Sequence, residues 1–87
     1  MKLNESFISY KVDNQNILVC LDSKKFAGVI KLNDTAALIV EKLKKEMTRK
    51  AILDEMMAHY EGVTREKLGA DLDKVTAQLA TVGAVDL

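Results

Sequence analysis

Gly28-Val29-Ile30-Lys31-Leu32-Asn33-Asp34-Thr35 is the stretch at which the spacing of apolar residues changes. Before it, apolar residues occur in short runs rich in β-branched side chains, and after it they recur every three or four residues. Short apolar runs are typical of strands, and the wider spacing is typical of amphipathic helices. The stretch therefore predicts a last strand that leads directly into a block of helices.

The first predicted strand covers residues 7–12, where the side chains alternate. Because successive side chains of a strand point to opposite faces, Ile8, Tyr10 and Val12 share one face, which we expect to pack against the core. Polar residues follow at 13–16, and their side chains favour a tight turn. This pattern indicates the first half of a hairpin.

Two further strands are predicted before the helices. Residues 17–21 form an unbroken apolar run, which is typical of a central strand. Residues 26–32 form the third strand, with Ile30 and Leu32 facing inward. Hairpin connections favour the spatial order one, two, three, so the third strand is left at an edge of the sheet. Its outer amide and carbonyl groups are then available to another chain.

Three helices follow, and each begins at a residue that can cap it. A short side chain with an oxygen atom accepts a hydrogen bond from an unpaired amide of the first helical turn. This role is predicted for Asn33 or Asp34, for Thr48 and for Thr64. Apolar residues at helical spacing form three stripes: Ala36, Ile39, Val40, Leu43 and Met47; Ile52, Leu53, Met56, Met57 and Tyr60; and Leu68, Leu72, Val75, Leu79 and Val82. Gly83 suits the left-handed position that ends a helix.

The order of these elements predicts an α+β fold, a three-stranded antiparallel meander followed by three helices. Three helices beside a small sheet also resemble a winged helix-turn-helix. The 87 residues suffice for one domain with one modest core, so we expect a single domain over 1–87. We expect residues 84–87 either to return as a short strand or to cover the core, and the length with an initial methionine favours a separate protein.

Composition excludes several classes of function. Thirteen basic residues balance thirteen acidic ones, so no long-range field directs the chain to nucleic acid or to an anionic membrane. One cysteine cannot form an internal disulfide, and no stretch has the length of a membrane span or the layout of a signal peptide. The expected location is the cytoplasm.

No pattern in the sequence points to catalysis. Cys20 lies in a buried strand pattern and His59 lies on a distant helix, so the two do not form a nucleophile and base at recognisable spacing. No histidines or cysteines stand at the spacing of zinc ligands, and the four glycines do not form a phosphate-binding loop. We expect a protein that is not an enzyme and that uses no cofactor or metal.

DNA binding is an open alternative because basic residues cluster after the first predicted helix. The cluster consists of Lys42, Lys44, Lys45, Arg49 and Lys50. Two glutamates, Glu41 and Glu46, interrupt it. The charges of the six charged residues of the third helix, which would enter the major groove, sum to zero. Since contacts with phosphates supply much of the affinity of DNA-binding domains, this balance argues against a nucleic-acid partner.

Three segments together resemble the coenzyme PQQ synthesis protein D family. They are Gly28-Val29-Ile30-Lys31-Leu32-Asn33-Asp34-Thr35-Ala36 with Ile39, the helix led by Thr48 that ends in Met57-Ala58-His59-Tyr60, and Leu79-Ala80-Thr81-Val82-Gly83-Ala84-Val85. The resemblance covers residues 8–85. Many members carry an aromatic residue where this chain has Val40, a difference that affects packing more than recognition.

The resemblance implies a winged-helix-like module that recognises the leader of a ribosomally made precursor peptide. Such a module presents the leader to a modifying enzyme, often a radical S-adenosylmethionine enzyme. By this resemblance the leader adds as a strand beside Val29, Ile30, Lys31 and Leu32. The third helix closes the groove, with Lys67, Asp71, Lys74 and Gln78 as candidates for polar contacts. Leu68, Leu72 and Val75 are candidates for its floor, against the alternative that they lie in the core, where such stripes normally pack.

A third hypothesis needs no leader peptide. An exposed edge strand can pair with its own copy, so the chain is alternatively a structural or oligomerisation domain that forms a homodimer through its third strand. The sequence leaves the identity of the precursor, of the modifying enzyme and of the product open.

Overall fold

The computed structural model describes residues 1–22, 24 and 28–86. Three antiparallel strands precede three helices, which confirms the predicted α+β order. The elements are β1 (Phe7–Val12), β2 (Gln15–Cys20), β3 (Val29–Leu32), α1 (Asp34–Lys42), α2 (Arg49–His59) and α3 (Arg65–Thr81). Residues 26 and 27 of the predicted third strand lie outside the described residues. The likeness to a winged helix-turn-helix stays a prediction.

A two-residue turn joins β1 to β2. Asp13 and Asn14 have φ angles of 49° and 64°, and Val12 pairs with Gln15 on either side of them. Positive φ at both central residues defines the type I′ turn, whose twist matches that of the flanking strands. Aspartate and asparagine tolerate this region of φ better than other residues with a side chain, so the polar run at 13–16 has a defined structural role.

The predicted core face of β1 is wrong. Ile8, Tyr10 and Val12 are 41%, 47% and 44% exposed, whereas Phe7 on the opposite face is 3% exposed. Residues 11–15 are all exposed, so the turn end of the hairpin extends beyond the helical layer and only the start of β1 covers the core. One phenylalanine is enough for that contact. The apolar alternate residues instead lie on the outer face, where Ile8 is paired with Val19.

The strands lie in the predicted order β1-β2-β3, with β2 in the centre. Leu18 of β2 is fully buried and pairs with Ser9 on one side and Ile30 on the other. In β3 the half-buried residues Ile30 and Leu32 alternate with exposed ones, as predicted. Since β1 and β3 each have one neighbour, both are edges of the described sheet.

Local capping explains where the helices begin. The side chain of Asn33 accepts a hydrogen bond of 2.8 Å from the amide of Ala36, which decides between the two predicted caps of α1. Thr48 and Thr64 cap α2 and α3 in the same way, as predicted. Gly83, with φ of 81°, follows the C-cap of α3. These caps satisfy amides that a helix itself leaves unpaired.

The apolar stripes of the helices form the core with Phe7 and Leu18. Ile39, Leu43, Ile52, Met56 and Leu72 are fully buried. The first helix is shorter than its stripe suggests, because α1 ends at Lys42. Leu43 and Met47 nevertheless remain buried in the connection to α2.

Both ends of the described chain pack on the helices. The Leu3 amide donates to the Leu43 carbonyl at 2.7 Å, and Leu3 forms an isolated antiparallel bridge with Val85. Ala84 and Val85 are buried, so the segment after α3 covers the core with one strand-like contact. Leu87 lies outside the described residues.

Candidate functional site

The outer edge of β3 is unpaired among the described residues. The hydrogen-bonding register of the sheet, which starts at the β1–β2 turn, determines which amides of β3 point outward. Residues that flank a two-residue turn exchange both hydrogen bonds, and bonded and non-bonded pairs then alternate along the ladder. Val12 and Gln15 are therefore a bonded pair. The same alternation makes Ser6 and Leu21 a bonded pair at the other end of the hairpin, where the Leu21 amide donates to the Ser6 carbonyl at 2.6 Å.

This alternation carries across β2 to β3. Odd-numbered residues of β2 direct their backbone groups to β1, so the even-numbered residues direct theirs to β3. Leu18 pairs with Ile30, which therefore bonds inside the sheet. Val29 and Lys31 consequently direct their amide and carbonyl groups to the open edge. These four backbone groups are the sequence-independent part of the candidate site.

A cavity of about 640 Å³ adjoins β3 and α3, with the start of α1 at its base. Its lining consists of Ile30, Lys31, Leu32, Asn33, Thr35, Ala36, Lys67, Asp71, Lys74, Val75, Gln78, Leu79 and Val82. We call this space the β3–α3 groove. It combines an unpaired strand with a helical wall, which is the arrangement that an extended peptide needs for strand addition.

The groove joins an apolar strip to a group of charges. Val75 and Leu79 lie along one side of α3, and Val82 at its C-cap continues this strip at steps of four and three residues. Polar residues of the same helix flank this strip. Lys67 donates to Asp71 at 2.7 Å across one helical turn, so these two side chains neutralise each other.

Most of the predicted binding residues line the groove. They are Ile30, Lys31, Leu32, Lys67, Asp71, Lys74, Val75 and Gln78. Val29 is 59% exposed and belongs to the same edge, but it does not line the cavity. The structure thus brings the strand and the polar face of α3 together, and the role of these residues in binding stays a prediction.

Two of the residues considered for the groove floor lie in the core, which is the alternative that their apolar stripe also allowed. Leu68 is 3% exposed and Leu72 is fully buried, and neither lines the groove. Both belong to the core cluster, in which α3 packs against α1 and α2. Val75 and Leu79 are buried in the same core cluster and also line the groove, and Val82 continues the floor beyond them.

Sequence reasoning missed the contribution of α1. Asn33, Thr35 and Ala36 line the groove where β3 passes into the helix. The Thr35 hydroxyl lies 3.4 Å from that of Tyr60, which ties this end of the groove to the end of α2. A signal was present, because the cap that ends β3 must lie next to β3 and therefore next to any strand added to it.

The two residues considered for catalysis, Cys20 and His59, have contacts that do not suit a catalytic role. The Cys20 thiol is half-buried and donates to the Asp22 carbonyl at 3.1 Å. His59 is the exposed last residue of α2, and its ring meets that of Tyr60 edge to face at 4.9 Å. Within residues 1–22, 24 and 28–86, no three histidine, cysteine or carboxylate side chains are grouped to hold a metal.

The basic cluster considered for DNA is largely paired with carboxylates. Lys42 lies 3.8 Å from Glu55, and Lys44 lies 2.9 Å from Glu41. Lys50 and Arg49 form ion pairs with Asp54 and Asp73, at 3.0 and 2.8 Å. Arg65, at the start of α3, also pairs with Asp54. Cations held by neighbouring carboxylates are poorly disposed to neutralise phosphates, so the DNA alternative loses support.

The same pairs shift carboxylate pKa values. A bidentate hydrogen bond from Arg49 lowers the pKa of Asp73 below its ordinary value of 3.8, and the same contact raises the pKa of Arg49. Hydrogen bonds from Lys50 and Arg65 lower the pKa of Asp54. These pairs join α2 to α3 at the exposed surface, away from the groove.

In the described part of the chain, no helix is both long and apolar enough to cross a membrane.

Comparison with known proteins gives one family and two solved structures. The model of the coenzyme PQQ synthesis protein D family matches residues 18–85. TbiB1 in complex with the TbiA(beta) leader peptide is 23% identical, with a TM-score of 0.78 over 99% of this chain and 100% of that one. Lasso peptide synthetase B1 complexed with its leader peptide is 25% identical, with a TM-score of 0.75 over 95% of this chain and 93% of that one. Among proteins with curated functions, none matches.

Proposed function

Since this chain belongs to the coenzyme PQQ synthesis protein D family, we propose that it binds the leader of a ribosomally made precursor peptide in the β3–α3 groove. The unpaired edge of β3 opposite α3 is the observation that carries the proposal. A similar solved structure, that of lasso peptide synthetase B1, is a complex with a leader peptide. The likeness supports the same class of ligand here.

The leader adds to the sheet as a fourth strand. Its backbone exchanges hydrogen bonds with Val29 and Lys31, whose amides and carbonyls face the open edge. Each such bond contributes about 0.5–1.5 kcal/mol net, so a strand of this length gives affinity that does not depend on sequence. Val29–Leu32 is the part of this strand that the structure describes, and these four residues are where we expect the leader to pair.

Side chains of the leader provide the selectivity. Those of one face point towards α3 and meet Val75, Leu79 and Val82, while those of the other face lie beside Val29 and Lys31 on the outer surface of the sheet. Burial of an apolar leader residue on the α3 side contributes about 25 cal/mol per Å² of surface removed from water. We therefore expect the leader to alternate, with apolar residues on its inner face.

The module acts on its ligand by presentation. Within the described residues, neither Cys20 nor His59 has the partners that nucleophilic or general acid–base catalysis requires. We propose that a separate modifying enzyme performs the chemistry, with a radical S-adenosylmethionine enzyme as the first candidate. The bound leader would then hold the rest of the precursor near that enzyme and raise its effective concentration.

Selection from a displayed library of short random peptides tests this function and does not require the identity of the precursor. We expect binders with an alternating pattern, and we expect the tightest of them to shift the NMR signals of residues 29–32 and of α3. The proposal would be overturned if the selected peptides shifted only the NMR signals of other surfaces, or if no peptide were selected. Sedimentation over a concentration series separates peptide binding from pairing of two copies through β3.

A further inference from the structure

We infer that the β3–α3 groove selects leader segments with acidic side chains on both faces of the added strand. This inference rests on the proposed function, because it concerns the sequence of the peptide that the same groove takes. It goes further by assigning separate cationic contacts to the two faces. The assignment follows from the charges around the groove, from the ion pairs within it and from the alternation of β3.

The groove is positive although the chain is neutral. Thirteen basic and thirteen acidic residues give the whole chain a formal charge of zero. On the α3 side of the groove, Lys67 and Lys74 stand against one carboxylate, Asp71, which leaves a formal charge of +1 there. Lys31 on β3 adds a further positive charge at the edge of the groove, on the outer face of the sheet. An excess of one sign of charge concentrates ligands of the opposite sign. Complementarity therefore favours an acidic peptide at this place.

Lys74 provides the cation on the inner side. Lys67 is engaged by Asp71 at 2.7 Å, whereas Lys74 has no carboxylate within 4 Å in the described part of the chain. The next residue, Val75, belongs to the apolar strip of the groove. A leader residue that faces α3 therefore meets an apolar surface with the ammonium group of Lys74 beside it. An aspartate or glutamate there gains an ion pair that the free protein lacks.

Lys31 provides the cation on the outer side. Its side chain is exposed on the face of the sheet that lies away from the helices, next to Ile17 across the ladder. A residue of an added strand directly opposite Lys31 has its Cβ on the same face and within about 4.5–5.5 Å. An opposite charge at that position is favourable and a like charge is unfavourable. No ion pair within the described residues occupies Lys31.

The two contacts impose a spacing on the ligand. Side chains of a strand alternate between faces, so the acid that meets Lys74 and the acid that meets Lys31 are separated by an odd number of positions. This spacing distinguishes the inference from a general attraction of acidic peptides, which would show no preference for odd over even separations.

Selection from the displayed peptide library against the wild type and against two charge-reversal variants tests the inference. The wild type is expected to enrich aspartate and glutamate at two positions an odd number of residues apart. In Lys74→Glu the enrichment at the inner position is expected to change to lysine and arginine. Lys45→Glu changes the net charge equally, and Lys45 lies outside the groove, so it should select the same peptides as the wild type.

Affinity measurements on one selected peptide give the second readout. Lys74→Gln is expected to weaken binding by about threefold at low salt, the scale of an exposed ion pair, and by less at high salt. This inference would be overturned if the peptides that bind at residues 29–32 showed no enrichment of acidic residues, or if Lys74→Gln left their affinity unchanged. Either result would leave the proposed function intact. If no peptide binds at β3, both fail.

Discussion

The two edges of the sheet differ in what lies beside them. Both β1 and β3 lack an outer neighbour in the described sheet, and β1 is the longer strand. Yet β3 borders a cavity of about 640 Å³ with α3 as its wall, whereas β1 borders one of about 250 Å³. An unpaired strand becomes a binding site only where a second surface can hold the side chains of the guest.

The edge of β1 is also partly occupied. The Phe7 amide, which points away from β2, donates to the Asn4 carbonyl at 2.9 Å. The segment before β1 is in turn held by the bond from the Asn4 amide to the Ala84 carbonyl. Ser9 and Lys11 remain as outward residues of β1, and the helix beside them is α1, whose Ala37 and Glu41 line the smaller cavity. We therefore assign binding to β3 and anchoring of the fold to β1.

The largest expected effect concerns that anchoring role. Phe7→Ala removes the buried ring of β1 and should lower the free energy of unfolding by about 3–4 kcal/mol, as is usual for a buried phenylalanine. Tyr10→Ala on the exposed face should lower it by less than about 1 kcal/mol. Urea unfolding followed by circular dichroism measures both. Equal losses would show that the two faces of β1 are not distinct.

Proline at matched lysines of the two edges tests the assignment of binding. Lys31→Pro should weaken binding of a library-selected peptide by about thirtyfold, or ~2 kcal/mol, because it removes an outward amide donor and its ring obstructs the guest strand. Lys11→Pro removes the equivalent outward amide of β1 and should leave affinity unchanged. Titration calorimetry gives the two constants.

Circular dichroism of both proline variants checks that the sheet persists. Because neither amide bonds to β2, we expect both variants to fold. A folded Lys31→Pro that retains wild-type affinity would place the guest elsewhere, and an equal loss in Lys11→Pro would remove the distinction between the edges.

Filling the groove should have a smaller effect. Gln78→Trp places a large ring over the cavity without entering the core, and we expect about a tenfold loss of affinity. Ala77→Trp puts the same ring at the next exposed position of α3, outside the groove lining, as the control. Fluorescence anisotropy with a labelled peptide measures both. A greater loss in the control would contradict the position of the guest.

The smallest effect is expected at the surface contact between α2 and α3 that supports the wall. Asp73 has a pKa below its ordinary value of 3.8 because of Arg49, so its ionised form stabilises the fold above that pH. This stabilisation is lost as the pH falls through the lowered pKa. Asp73→Asn should therefore lower Tm slightly at pH 7, and the difference should vanish well below pH 3.8. A difference that persists in acid would point to packing instead.

Local chemistry allowed much of the fold to be predicted from the sequence. Asn33, Thr48 and Thr64 cap helices because their side chains reach amides three residues later, a contact that depends on few neighbours. Strand order followed from the short hairpin connections, and the open edge of β3 followed from that order. These features do not depend on distant packing.

The errors occurred where distant packing decides. Alternation in β1 identified two faces, but which one is buried depends on how far the helical layer reaches beneath the hairpin, and that placed Phe7 inside and Tyr10 outside. In the same way, the stripe of α3 does not reveal which of its core residues also line the groove. Leu72 lies in the core alone, whereas Leu79 is buried in the core and also lines the groove, at identical apolar spacing.

Hydrogen exchange at single amides tests strand addition to β3 most directly. With a library-selected peptide bound, the amides of Val29 and Lys31 should become protected, while those of Ser9 and Lys11 should exchange as in the free protein. Protection that appears at β1, or peptide binding that leaves Val29 and Lys31 exchanging freely, would contradict the account.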